Sequence, residues 1–188
     1  HCDAVQTHVE LYSGLVEVGV GLVPGWGGCK EFIYRQLDKR AKSDMWAAKM
    51  GGWFSWLSPV KTLNAMPAVI NAMTSISMAQ VSKSAEEARR MLITKDCCGV
   101  SMNRNRVLAD AKAKALSMVE GYTAPETYNI SLPGKTARTA IEMKLKDLEK
   151  TGKATPHDMV VSRACAWILS GGDTDITKEL TEQDVLDL

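Results

Sequence analysis

Glu17 is the only acid in the stretch GLVEVGVGLVPGWGG, which runs from Gly14 to Gly28 and also holds six glycines and one proline. A carboxylate among valines and leucines is costly unless it is paired or put to use. Put to use, it is a general acid or base, giving or taking a proton at a reacting carbon or water. The glycines call for an explanation of their own. Glycine weakens a strand and loses extra backbone freedom on folding, so a run of them marks a special turn or a place where a ligand lies against the main chain. A nucleotide loop is disfavoured. The pattern G-x-x-x-x-G-K-[ST] is absent, and GVGLVPG departs from G-x-G-x-x-G because Pro24 stands where the last glycine belongs. Two readings stay open: a tight structural turn, or the wall of an active site that Glu17 faces.

The elements that must position Glu17 follow from pattern. Cys2 to about Tyr12 is mixed and partly β-branched, which suggests one or two strands, and Leu15–Val23 reads as a further extended segment. Pro24–Gly28 breaks that pattern, and CKEFIYRQLDKRAK continues with helical period, Phe32, Ile33 and Leu37 on one side. The segment 44–80 is rich in Trp and Met and reads as two or three short helices, a packing layer or the wall of a long apolar pocket. Ser84–Glu87 forms a capping box, and a helix from Arg104 to Glu120 ends at Gly121. Thr136–Lys150 is an amphipathic helix closed by Gly152. Thr155-Pro-His-Asp158 opens a helix that runs to about Ser170 and stops at Gly171-Gly172, and Thr181 opens a last one. The expectation is an α+β chain with its strands at the front and almost only helix from Ser84 onward. It divides into 1–43 (strands, glycine turn, first helix), 44–80 (Trp/Met-rich insertion) and 81–188 (helical tail).

Composition narrows the classes. A chain of 188 residues holds one real core, and a net charge of +1 leaves no basic excess for nucleic acid. No apolar run approaches the roughly 18 residues of a membrane span. The five cysteines, Cys2, Cys29, Cys97, Cys98 and Cys165, are odd in number and contain no C-x-x-C, which predicts reduced thiols in a cytoplasmic protein. His1, His8 and His157 show no metal-ligand spacing, so no metal is expected. His8 and Glu10 read as surface residues, and His157 as the second residue of a helix. Both ends of the chain read as cuts through something longer.

The residues also carry a resemblance. Cys2-Asp3-Ala4 matches the tail of a signature of the crotonase (enoyl-CoA hydratase/isomerase) superfamily, and Glu17, Gly21, Val23, Pro24, Gly25, Trp26, Gly27 and Gly28 keep the spacing of that family's acid and its following glycine loop. EVGVGLVP with GGCKE, then VSKSAEEAR, NRNRVLADAKAKAL, GY and HD, are more closely similar to the hydratase-like region of bacterial multidomain 3-hydroxyacyl-CoA dehydrogenases. The resemblance implies the C-terminal part of a ββα spiral domain: a short β layer carrying Glu17, then a helical tail of the kind that family uses to form homo-oligomers. It implies an acyl-CoA thioester as substrate, within fatty-acid β-oxidation. Two backbone N–H groups would hold the thioester carbonyl and stabilise the enolate, while two glutamates handle the protons of the adding water.

On that resemblance Glu17 is the catalytic acid that protonates Cα, in surroundings of Val16, Val18 and Val20 that disfavour its charged form. Gly21, Pro24, Gly25, Trp26 and Gly27 line the substrate. The first glutamate and the oxyanion donors would lie before His1. The NAD of the parent's dehydrogenase half would bind outside this chain, which itself holds no cofactor. Trp26 replaces a small residue of the family's loop and is large enough to fill part of an acyl pocket. The competing reading is a non-catalytic module that binds acyl-CoA or assembles copies of the protein.

Overall fold

The computed structural model describes residues 2–50 and 64–188, the side chains of 44–50 excepted. Much of the segment expected to be a Trp/Met-rich insertion, including all of 51–63, therefore lies outside the described residues.

The helices begin and end where short-range chemistry directs. Helix α1 (Gly28–Met50) follows the glycine loop and buries Phe32, Ile33 and Leu37, one stripe at helical spacing. Helix α2 (Met66–Ser77) buries Ala68, Val69, Ala72, Met73 and Ile76. Helix α3 (Ala85–Arg90) is capped by the Ser84 hydroxyl, which accepts from the Glu87 N–H at 3.1 Å. The Glu87 carboxylate turns instead to the N–H of Lys83, so only half of the expected box closes. The helix expected from Arg104 splits into a 3₁₀ turn at Arg104–Arg106 and α4 (Val107–Ser117). Helix α5 (Lys135–Lys150) buries Ala137, Ile141 and Leu145. Helix α6 (Pro156–Ser170) has the full reciprocal cap of Thr155 and Asp158, and α7 (Glu182–Leu186) repeats it with Thr181 and Asp184.

Strands are short and spread along the chain. β1 (Gln6–His8) pairs in parallel with β2 (Gly99–Ser101), Gln6 opposite Gly99. β3 (Asn129–Ser131) pairs antiparallel with β4 (Glu179–Thr181), Ile130 opposite Leu180. Two expectations are corrected here. Leu15–Val23 is not a strand: Glu17–Val20 is a 3₁₀ turn, so no β layer carries Glu17. Strands are not confined to the front, since three of these four follow Ser84. The mixture of helices with small sheets is compatible with the α+β class.

The core lies where α6 meets α1, α2 and α5. Met159, Cys165, Ala166 and Leu169 of α6 meet Ile33, Val69, Ile76 and Ile141 there in one buried cluster. Lys30, 3% exposed, sits at the edge of this core and ties α1 to α7 through an ion pair with Glu182 and a 2.9 Å contact with Glu31. Burial works against the Lys30 charge, but the two carboxylates outweigh it and raise its pKa above the ordinary lysine value.

Gly171 ends α6 in the left-handed region, at φ +89°, and joins it to the second sheet. A Cβ there would stand 2.8 Å from the Cβ of Leu132 and 2.9 Å from a methyl of Leu180. Gly171→Ala is therefore expected to destabilise the fold by about 2 kcal/mol or more, left-handed strain and overpacking together. Urea unfolding checks this, and an unchanged midpoint would show that the helix end repacks freely.

Candidate functional site

The acid singled out in the sequence stands at the start of a turn wedged between α2 and α6. Glycine makes the wedge fit. A Cβ on Gly14 would lie 2.1 Å from the Gln80 carbonyl oxygen, and one on Gly28 would lie 2.7 Å from a methyl of Leu15. Gly21 closes the turn at φ +78°, where its own N–H bonds the Val18 carbonyl at 3.0 Å and Leu22 N–H bonds that of Glu17 at 3.0 Å. These three glycines answer to packing and turn geometry. Gly25 is different, because a Cβ there would meet nothing within 4 Å.

One carboxylate oxygen of Glu17, Oε2, is buried and finds no hydrogen-bond partner among the described residues. A buried, unpartnered carboxylate oxygen is costly, and it is the feature expected of an acid kept for chemistry. Only Val18 of the expected apolar surround packs against the core. Val16 and Val20 are exposed, because a 3₁₀ turn does not set alternate residues on one face as a strand does.

Cys29, at the start of α1, lies close enough to Glu17 and Cys165 to feel both. Burial first, then Cys165 and Glu17, push its thiol up to about 12, and burial pushes Cys165 up to about 11. Its Sγ points at the Pro24 carbonyl, 3.8 Å away. Pro24 is buried, while Gly25 and Trp26 are exposed. Trp26 is 100% exposed and holds a left-handed backbone at φ +56°, so it does not pack in the core of this chain. The structure thus puts Cys29 beside Pro24 and within electrostatic reach of Glu17, with Gly21 closing the Glu17 turn and Trp26 exposed.

The largest cavity described, about 940 Å³, lies elsewhere, between α1, α3 and the strand-flanking loops. Arg35, Lys39, Arg89, Glu31, Tyr128 and Glu182 are on its walls, a mixture of both charges. None of Glu17, Gly21, Pro24, Gly25, Trp26 and Gly27 lines it. Among the described residues no group of three or more His, Cys, Asp or Glu side chains could hold a metal ion. No described helix is long and apolar enough to cross a membrane.

The site's least expected neighbour is His157, on the first turn of α6, with Nε2 2.8 Å from the Gly21 carbonyl oxygen. The sequence marked it as a residue of a helix start and as part of the HD pair in the resemblance, and nothing local connects it to a turn 136 residues earlier.

Comparison with known proteins gives two similarities. The chain is 32% identical over 185 residues to a probable 3-hydroxyacyl-CoA dehydrogenase of Bacillus subtilis, covering 98% of this chain and 21% of that protein. It is 54% identical over 33 residues to a putative fatty acid oxidation complex trifunctional enzyme of Rickettsia felis, covering 18% of this chain and 5% of that one. The chain thus spans about a fifth of the length of the Bacillus relative. No family profile and no solved structure matches it.

The thiols provide a check on the site's packing. Cys29, Cys98 and Cys165 are buried, and Cys2 and Cys97 are exposed. A maleimide at pH 8 is expected to label Cys2 and Cys97 within minutes and to spare Cys29 and Cys165 until denaturant is added. A raised thiol pKa also means that folding holds those protons. The stabilisation is fully present below the unfolded thiol value near 9 and is lost as pH rises towards 11–12. Rapid native labelling of Cys29 would show that the turn opens.

Proposed function

We propose that this chain is the C-terminal part of a hydratase-like, crotonase-type domain within a fatty-acid β-oxidation enzyme, and that Glu17 is its acid. The observation that carries this reading is the Glu17 carboxylate itself, half-sunk and unpartnered at Oε2 on a glycine-closed turn. The similarity to a probable 3-hydroxyacyl-CoA dehydrogenase along nearly the whole chain supports it. On this reading 1–43 is part of a ββα spiral core, 44–80 an insertion and 81–188 a tail that packs and assembles copies of a cytoplasmic protein.

In the reaction, water adds across the double bond of a 2-enoyl thioester. Its hydroxyl goes to Cβ, the proton the water sheds goes to a second glutamate, and Glu17 gives a proton to Cα. That second glutamate and the donors for the thioester oxygen would lie in sequence preceding His1. Gly21, Pro24, Gly25 and Gly27 form backbone against which the acyl chain lies, and the open space at Gly25 suits that role. On this reading the NAD of the dehydrogenase half binds outside this chain.

One observation favours a second reading. Trp26, Val20 and Leu22 form exposed apolar surface on the same loop, which suits a module that assembles or binds without turnover. The two readings separate in the full-length protein assayed for hydration of crotonyl-CoA and a longer enoyl-CoA. Glu17→Gln, which keeps shape and removes the transferable proton, is expected to lower kcat at least about a hundredfold with CoA binding retained. Trp26→Ser is expected to leave hydration of crotonyl-CoA within twofold. If Glu17→Gln changes nothing while Trp26→Ser alters the assembled mass, the module reading stands instead.

A further inference from the structure

The catalytic reading of Glu17 requires that its carboxyl be held in one place, and the turn that carries it is short. A 3₁₀ turn of four residues has few internal hydrogen bonds, and their geometry is poorer than that of an α-helix. Its last carbonyl, that of Gly21, accepts a bond from across the molecule. His157 Nε2 lies 2.8 Å away, and a carbonyl can only accept, so Nε2 carries the proton. Both the neutral Nε2–H tautomer and the imidazolium can make this bond.

The donor stands on a rigid base. His157 follows Pro156 at the start of α6, in a turn fixed by the Thr155–Asp158 cap, and the same helix buries Met159 and Cys165 in the core. The approach also depends on the glycine. A Cβ on Gly21 would stand 2.9 Å from Nε2 and 3.0 Å from Cδ2 of the imidazole. Gly21 therefore does two things: it adopts the left-handed backbone that ends the turn, and it leaves room for the ring.

From this we infer that His157 is a positioning residue for Glu17, clamping the Glu17–Gly21 turn to helix α6 through the Gly21 carbonyl. The inference rests on Glu17 being the acid, but it concerns a different residue and a different contact. His157 itself touches neither substrate nor the reacting atoms in this reading. Loss of the clamp lets the turn shift on the core, and a displacement of about 1 Å at an acid costs up to a hundredfold in rate.

The experiment uses the full-length protein with crotonyl-CoA as substrate. His157→Ala is expected to lower kcat tenfold to a hundredfold with KM within about twofold, since the contact serves the acid rather than binding. His157→Gln, whose amide nitrogen can reach the same carbonyl, is expected to restore kcat to within about threefold of wild type. Gly21→Ala, which crowds the ring and also strains the turn, is expected to lower kcat at least as far as His157→Ala. Independently of activity, ¹⁵N spectra are expected to show His157 protonated at Nε2, and the Gly21–Leu22 amide resonances to move in His157→Ala.

Wild-type kcat in His157→Ala, with Glu17→Gln inactive, overturns the clamp and leaves the acid assignment standing. So does a fall in activity that merely follows the folded fraction and is not restored by Gln. If Glu17→Gln is itself fully active, the acid assignment fails and the inference falls with it.

Discussion

Helix α6 must bury the stripe Met159, Cys165, Ala166 and Leu169, and that requirement organises the rest of the molecule. A stripe of this kind stabilises only when other apolar faces cover it, and α1, α2 and α5 together do so. Each fully buried large side chain contributes roughly 1.5–3 kcal/mol, far more than any surface ion pair in the fold. Once α6 is fixed, its two ends become reference points. Its N-terminal turn presents His157 to the carbonyl of Gly21. Its C-terminal glycine lets Leu132 and Leu180 of the second sheet region come into contact range.

The Glu17 turn profits from this arrangement because it has little to hold it otherwise. Val18 is its one apolar anchor in the core, and Val16 and Val20 face solvent. Its order comes from the close approach of Gly14 to the Gln80 backbone on one side and from α6 on the other. The buried Oε2 of Glu17 and the suppressed acidity of the neighbouring Cys29 have a common origin in low-polarity packing at the head of α1.

Charge is arranged differently on the far side of α1. Lys30, Glu31 and Glu182 join with Tyr128, whose ring lies 5.7 Å from the lysine nitrogen and stacks on Tyr34 at 3.6 Å. This group links α1, α7 and the segment before β3 at the wall of the largest cavity among the described residues. Its geometry gives it a structural role: removing either carboxylate leaves a buried cation less well compensated, which is costlier than losing an exposed pair.

The chain's own sequence determined the local events. Thr155 with Asp158, Thr181 with Asp184, and the stops at Gly152 and Gly171 are readable because a cap or a left-handed turn involves residues within four positions of one another. The buried face of α1 is readable for the same reason, as is Glu17 as the one acid of its stretch. Tertiary structure decided what depends on distant partners. Strands of three residues exist only by pairing, Gln6 with Gly99 and Ile130 with Leu180, and nothing near Gly99 announces Gln6. The valines of Leu15–Val23 favour a strand, yet Gly14 and Gly21 serve close contacts with Gln80 and His157 that only the folded chain supplies, and the segment turns instead. Trp26 is exposed on a left-handed backbone, which its residue type does not announce and only the folded loop shows. Spacing along a chain reports helical faces and caps, while a contact between α6 and a turn 136 residues earlier is set by how the helices pack.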